Sequence, residues 1–354
     1  MHCGAWCRIA ARYEPALRTR ARPPSHAGKT TVRTIAIATT FVALLATHAH
    51  AAEQPYPTRP VRFIMPVSAG GGTDQLGRIV AQKITEKWGQ ALIIDNRDGA
   101  GGTIGTDLAA KAAPDGYTIV MGYFAPIGVN VHLVKLPYDP VNDFAPITLL
   151  ATSPNLLAVH PSVQARTVKD LIALARAKPG ELHYGSGGSG SAMQLSAEMF
   201  NMMTGVKTTN VPYKGAAPAL RDLLAGQVQL AFISLPSSLT QIEAGRIRAL
   251  AVAAAKRAPA LPDVPTMDEA TGLRGFESYQ WYGPLAPAKT PDWIVRRLHA
   301  DFVEALNRPD VIPKLAAAGF DREGSSPEEF RTFIRNEIAK WGKVIKAANI
   351  RAVQ

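Results

Sequence analysis

The sequence predicts an α/β protein of two lobes that meet at a hinged cleft. Three observations carry this reading. From Val61 to Met121, short apolar runs alternate with helical patterns as βαβαβ, which requires a parallel sheet with right-handed crossovers. A second α/β series runs from Thr167 to Val252. Two extended segments, Ile147–Val159 and Tyr279–Ala286, bracket that series and read as strands crossing between lobes. The expected boundaries are 53–152 with 283–354 for the first lobe and 153–282 for the second.

The elements follow in order. Val61–Met65 is a short apolar strand after a Pro-rich entry (Pro55, Pro57, Pro60). Leu76, Ile79, Val80, Ile84 and Trp88 share one helical face, and Gly89 closes that helix. Ala91–Ile94 is the next strand, a helix follows from Thr103 to Ala113, and Pro114-Asp115-Gly116 turns the chain into the strand Tyr117–Met121. Leu136–Phe144, rich in Pro and Asp, reads as a loop. In the second series, Thr167 and Asp170 cap a helix ending at Pro179-Gly180. Leu182–Tyr184, Thr208–Val211, Val228–Ile233 and Ala249–Val252 are its strands. Its helices run to Met203 after the loop Gly185–Gly190, and over Ala216–Ala225 and Ser237–Ala244. The chain ends in helices: one starts at Thr290-Pro291, and Ser326-Pro327-Glu328-Glu329 is a capping box on another.

The first fifty residues differ from the rest. Arg33 precedes the apolar stretch Ile35–Ala46, and Ala49-His50-Ala51 is an A-x-A cleavage pattern. Residues 1–51 therefore read as a secretory signal peptide, with a mitochondrial presequence as the competing reading of the Arg-rich start. The apolar stretch is too short for a permanent membrane anchor. Both cysteines, Cys3 and Cys7, fall in this segment, so the exported chain is expected to have no disulfide, cysteine nucleophile or zinc–thiolate site. The segment also carries seven Lys+Arg and one acidic residue, Glu14; without it the net charge falls from +11 to +5. No basic run interleaves with aromatics, which argues against nucleic-acid binding.

Two glycine-rich turns hold the chemistry. The first is Pro66-Val67-Ser68-Ala69-Gly70-Gly71-Gly72-Thr73-Asp74 and the second Gly99-Ala100-Gly101-Gly102-Thr103-Ile104-Gly105. Each follows a strand and opens a helix, so each aims free N–H groups and a positive helix end at one spot. Neither turn holds Lys or Arg, which favours a small carboxylate over a polyphosphate. Asp74 suits a cap better than a ligand contact, because a bare carboxylate repels an acid. A third hydroxyl-rich loop, Gly185–Ser191, opens a helix in the second lobe and can donate to an anion from the opposite side. Tyr123 and Phe124 follow the third strand, at the sheet edge where α/β proteins bind ligands.

Enzyme readings fare worse. The G-x-G-x-x-x-G of the second turn is shared with nicotinamide-dependent dehydrogenases, but the chain has no Tyr-x-x-x-Lys pair. None of the serines in Gly185–Ser191 sits in a G-x-S-x-G elbow. His132, His160, His183 and His299 lack metal-ligand spacing. Met193, Met199, Met202 and Met203 read as core filler on one helix.

Several linked motifs carry a resemblance. They include Tyr56-Pro57-Thr58-Arg59-Pro60, Gly70–Arg78, Asn96-Arg97-Asp98-Gly99-Ala100-Gly101-Gly102, Pro114-Asp115-Gly116-Tyr117-Thr118, Leu136-Pro137-Tyr138-Asp139-Pro140, Val211-Pro212-Tyr213-Lys214-Gly215 and Leu261-Pro262-Asp263-Val264-Pro265-Thr266. In this order and spacing, residues 53–350 resemble the Bug family, the periplasmic substrate-binding proteins of tripartite tricarboxylate transporters. The resemblance implies a two-domain Venus-flytrap fold, type II-like among periplasmic-binding-protein folds, with the ligand in the interdomain cleft. It implies a non-enzymatic, monomeric protein without cofactor or metal that captures a small organic acid (a di- or tricarboxylate or an aromatic carboxylate) by hinge closure. Delivery would be to the large and small membrane subunits of the transporter; a sensor-linked role without transport is the alternative.

Family contacts, partly through water, carry over to Val67, Ser68, Gly71, Gly72, Asp74, Ala100, Gly101, Tyr123, Ser186, Ser189, Ser191, Tyr213 and Ser234. Three departures stand out. Asp98 replaces a usual proline, Gln194 a frequent histidine, and Ile233-Ser234 an acidic residue followed by a small polar one, facing the cleft. Loss of that acid is expected to disfavour ligands bearing an ammonium group.

Overall fold

The computed structural model describes residues 55–213 and 215–352; the leader segment 1–51 lies outside them. Three strands form the parallel start: β1 (Val61–Met65) lies between β2 (Leu92–Asn96) and β3 (Thr118–Tyr123). They are joined by α1 (Gly72–Trp88) and α2 (Thr103–Ala110). On α1, Leu76, Val80 and Ile84 are fully buried, and Gly89 ends the helix at φ 64°, a left-handed position that costs glycine nothing. Helix α2 stops three residues short of the expected Ala113. Pro114 follows, and a proline disfavours helical backbone at the residue before it.

The two crossing segments are strands, as the sequence predicts. β5 (Ala151–Val159) and β10 (Tyr279–Pro287) pair antiparallel with each other. β10 also pairs antiparallel with β3 and with β4 (Phe144–Pro146). All nine residues of β5 are buried, as expected of a strand covered on both faces. Beyond it lies the second half of the sheet: β8 (Leu230–Ser234) and β9 (Arg248–Val252) run antiparallel to β5, and β6 (His183–Ser186) runs parallel to both β7 (Thr209–Pro212) and β8. A two-residue strand, β11 (Asp321–Arg322), also pairs with β5. The order is β2-β1-β3-β10-β5-β8-β6-β7, so β5 and β10 alone tie the two parallel sets together along this path.

Helices α3 (Val168–Ala177), α4 (Ala192–Thr204), α5 (Ala216–Leu224) and α6 (Leu235–Glu243) serve the second set. Helix α6 starts two residues earlier than expected, because Pro236 sits comfortably in a first helical turn. The predicted capping boxes form: Thr167 with Asp170 on α3, and Ser326 with Glu329 on the last helix. Three further helices, α7 (Met267–Thr271), α8 (Asp292–Leu306) and α9 (Ile312–Ala317), precede α10 (Pro327–Ala347). Phe302 of α8 meets Phe63 of β1 edge-on at 5.7 Å. Phe330 and Trp341 of α10 pack on Trp281 of β10 at 5.9 Å and on Phe124 at 5.2 Å, so the C-terminal helix braces the crossing. Met193 and Met199 are core filler, as read from sequence, whereas Met202 is 51% exposed.

Candidate functional site

The register of β1 on β2, with Met65 opposite Asn96, ends both strands at one level and sets the two glycine turns side by side. Two side chains shape the first turn. The buried Asp74 carboxylate accepts from the Gly70 N–H (2.9 Å), from Arg78 Nε (2.9 Å) and from Asn96 Nδ2 (3.0 Å). Asn96 Nδ2 also reaches the Val67 carbonyl at 3.1 Å. Burial works against the Asp74 charge, but the bonds from Arg78, Gly70 and Asn96 outweigh it and hold the carboxyl below its usual range. The family resemblance carries Asp74 over as a ligand contact, while its own chemistry reads better as a cap. Its oxygens are already taken by these donors, so it positions the turn.

The second turn has an unusual backbone. Gly99, Ala100, Gly101 and Gly102 have φ of 127°, 47°, 63° and 90°. Three of these four residues are glycines, which adopt positive φ freely, whereas Ala100 at φ 47° is strained and persists only where the surroundings enforce it. Gly102 donates back to Gly99 O at 2.9 Å, while the N–H groups of Gly71, Ala100 and Gly101 have no acceptor among the described residues. Gly71 and Gly101 are exposed, and no atom lies within 4 Å of where a Gly71 Cβ would stand.

Tyr123 closes the cradle from below. Its hydroxyl lies 3.2 Å from Gly101 O and 3.4 Å from Pro66 O, one carbonyl in each turn. Burial, reinforced by the nearby Asp98 charge, pushes its ionisation well above the usual range, so it stays a neutral donor. Asn130 Nδ2 supports the second turn through Thr103 Oγ1 (3.3 Å) and Gly101 O (3.4 Å). Asn96 and Asn130 were not singled out by sequence reasoning. An Asn at a strand end just before a glycine turn was the available signal for Asn96; Asn130 gave none.

The second-lobe residues gather at the carboxyl ends of β6, β7 and β8. Ser186 ends β6, Tyr213 follows β7 and Ser234 ends β8; Tyr213 N–H donates to Ser186 O at 2.9 Å. The Ser186 hydroxyl is fully buried and has no partner among the described residues. The others are engaged. Ser189 Oγ donates to the Arg351 carbonyl at 2.6 Å, and Ser191 caps α4 by accepting from Gln194 N at 3.3 Å. Gln194 Oε1 in turn accepts from the Gly190 N–H at 2.8 Å. Tyr213 donates to Asp222 Oδ2 at 2.7 Å; burial and that carboxylate push its ionisation up to about 12. Ser234 and Ser237 hydroxyls share a bond at 2.8 Å. The loop lies against the segment after β3, since a Cβ on Gly190 would come 3.3 Å from Val129 Cγ1.

Ile233, expected to face the cleft, is 1% exposed and packs in an apolar cluster with Met193, Ala219 and Leu223. Along β8 successive side chains alternate faces, so Ser234 occupies the rim and Ile233 the core. The argument from Ile233 against an ammonium-bearing ligand therefore loses its geometric basis. Among the histidines, His132 Nε2 meets Ile338 O at 2.8 Å, His160 pairs with Ser162 at 2.7 Å and His299 lies 3.1 Å from Ser325 O. No group of three His, Cys, Asp or Glu among the described residues could hold a metal ion, and no described helix is long and apolar enough to cross a membrane.

Comparison with known proteins shows the family and the fold. A family described as "Tripartite tricarboxylate transporter family receptor" matches residues 76–350. The protein BugT of Bordetella pertussis is 35% identical over 316 residues, covering 89% of this chain and 97% of BugT. Among solved structures, R. palustris Rpa4515 with adipate is 43% identical with a TM-score of 0.75, covering 84% of this chain and 100% of that one. MatC from Rhodopseudomonas palustris with bound malate is 33% identical with a TM-score of 0.71, covering 82% and 100%. The paired glycine turns, the two crossing strands and the family match converge: this chain belongs to the tripartite tricarboxylate transporter receptor family and is a periplasmic solute-binding protein of Venus-flytrap fold, not an enzyme.

Proposed function

We propose that this protein captures a small organic acid, a di- or tricarboxylate or an aromatic carboxylate, and delivers it to the large and small membrane subunits of a tripartite tricarboxylate transporter. The observation that carries the reading is the set of N–H groups on Gly71, Ala100 and Gly101 that have no acceptor among the described residues, held side by side at the ends of two parallel strands. One ligand carboxylate docks there. The first lobe (53–152 and 283–354) carries the cradle. The second (153–282) closes over the distal end with Ser186, Tyr213 and Ser234. The strands β5 and β10, which join the lobes, are the hinge. The adipate and malate held by two solved relatives support a carboxylate ligand. The cradle and the closing loop belong to one chain, so a monomer suffices to capture the ligand.

The test is a thermal-shift and calorimetry panel of linear dicarboxylates, malate, citrate and benzoate. A true ligand at a hundredfold excess over its dissociation constant adds about 2.7 kcal/mol of stability, and X-ray scattering should show compaction when it is added. Absence of any shift across the panel, together with a hit from a neutral or cationic solute, overturns the carboxylate reading.

A further inference from the structure

The cradle already contains a carboxylate of its own. Asp98 lies between the two turns: Ser68 Oγ, in the first turn, donates to its Oδ2, and the Gly99 N–H, in the second, donates to its Oδ1 at 2.7 Å. Its charge is felt at the Tyr123 hydroxyl, which itself touches both turns. The basic residue beside it in sequence, Arg97, is occupied by Asp95 at 2.9 Å. Asp98 therefore places an exposed negative charge beside the donors of Gly71, Ala100 and Gly101 and takes up two further donors that an incoming anion could use.

Resting on the carboxylate reading above, we infer that Asp98 is the selectivity residue of this cradle: it weakens every bound carboxylate and most strongly penalises a second negative charge close to the first. Like charges a few ångströms apart repel, and the repulsion falls with distance and with screening. A long linear diacid keeps its second charge away from Asp98, at the closing lobe. A short diacid such as malonate cannot. A ligand with a hydrogen-bond donor on the carbon next to its carboxylate gains an acceptor in Asp98. The substrate class this geometry selects is thus an acid whose remaining charge is remote from the docked carboxylate.

The experiment compares wild type with Asp98→Asn by calorimetry, using adipate and malonate as probes and adding each acid of the panel above that binds wild type. Asn keeps one acceptor, Oδ1, for the Gly99 N–H, and its Nδ2 can donate to Ser68 Oγ in place of the bond that Ser68 now donates, so the turns should hold; Asp98→Ala is the second variant, with melting curves for all three proteins. The expected result is tighter binding in both variants, about tenfold for adipate and more for malonate, with the gain shrinking in high salt. Equal or weaker binding of the panel acids in both variants overturns the role of Asp98 while leaving the carboxylate reading intact. If no acid binds wild type or either variant and a neutral or cationic solute does, that reading fails, and this inference falls with it.

Discussion

The Asn96 carboxamide donates to Asp74 Oδ1 at 3.0 Å and lies 3.1 Å from the Val67 carbonyl. Through this one side chain the end of β2 holds both the start of α1 and the first glycine turn. The turn is thus held by side chains behind it, one of which also takes the Gly70 N–H, while the Gly71 N–H has no acceptor among the described residues. Preorganised donors of this kind bind an anion without paying to order the loop at that moment.

Asp74 should therefore matter for both shape and stability. Asp74→Ala leaves the Gly70 N–H without its acceptor, takes one of the two acceptors of Asn96 Nδ2, and leaves Arg78 its bond to Asn96 Oδ1 at 3.2 Å. We expect a loss of about 1–3 kcal/mol in chemical denaturation and at least tenfold weaker acid binding. Because its folded pKa is depressed, its stabilisation is present above the unfolded value of about 4 and is lost as pH falls through the folded value. The difference between wild type and variant should shrink in acid; a gap that stays constant to pH 2 would contradict this.

Gly71→Val separates folding from binding. The new side chain meets no atom within 4 Å of its Cβ and the backbone there is extended (φ −82°). The variant should melt within a few degrees of wild type yet lose carboxylate binding at least a hundredfold, read by calorimetry. Gly101→Val is a poorer probe, since φ of +63° strains a β-branched residue whatever the ligand does. Undiminished affinity in Gly71→Val would remove the first turn from the site.

Tyr123→Phe removes the hydroxyl that lies between the turns and leaves the ring that fills the space beneath Gly102. Stability should fall by about 0.5–1.5 kcal/mol. Dissociation should quicken about five- to tenfold, measured by stopped-flow with a bound acid, because the turns lose their shared brace.

Asp321 offers the opposite sign. It sits in β11 against the crossing strand β5, half-buried, and burial raises its pKa above the usual range. A carboxyl with a raised folded pKa contributes stability that is full below the unfolded value and lost as pH rises through the folded one. Asp321→Asn should therefore raise the melting temperature at pH 7 and lose that advantage near pH 4. The neighbouring Glu323, raised by burial with Asp321 adding to it and bonded to Thr152 at 2.9 Å, should follow the same direction more weakly when changed to Gln. A lower melting temperature for Asp321→Asn at pH 7 would contradict the sign.

The sequence by itself determined the lobed α/β plan, because apolar periodicity and turn chemistry act locally. Alternation from Val61 to Met121, the capping boxes at Thr167 and Ser326 and the closure of α1 at Gly89 need only neighbouring residues. The two glycine turns were legible for the same reason, and the order of linked motifs identified the family. Tertiary structure alone decided how the side chains are spent. Register set Met65 opposite Asn96 and so brought the turns together. Long-range bonds gave Asp74 to Asn96 across 22 residues, and joined Ser68 to Asp98 across 30. Strand alternation against a packed helix face turned Ile233 inward among Met193 and Leu223. A residue's type fixes what it can bond; only the fold fixes which partners come within reach.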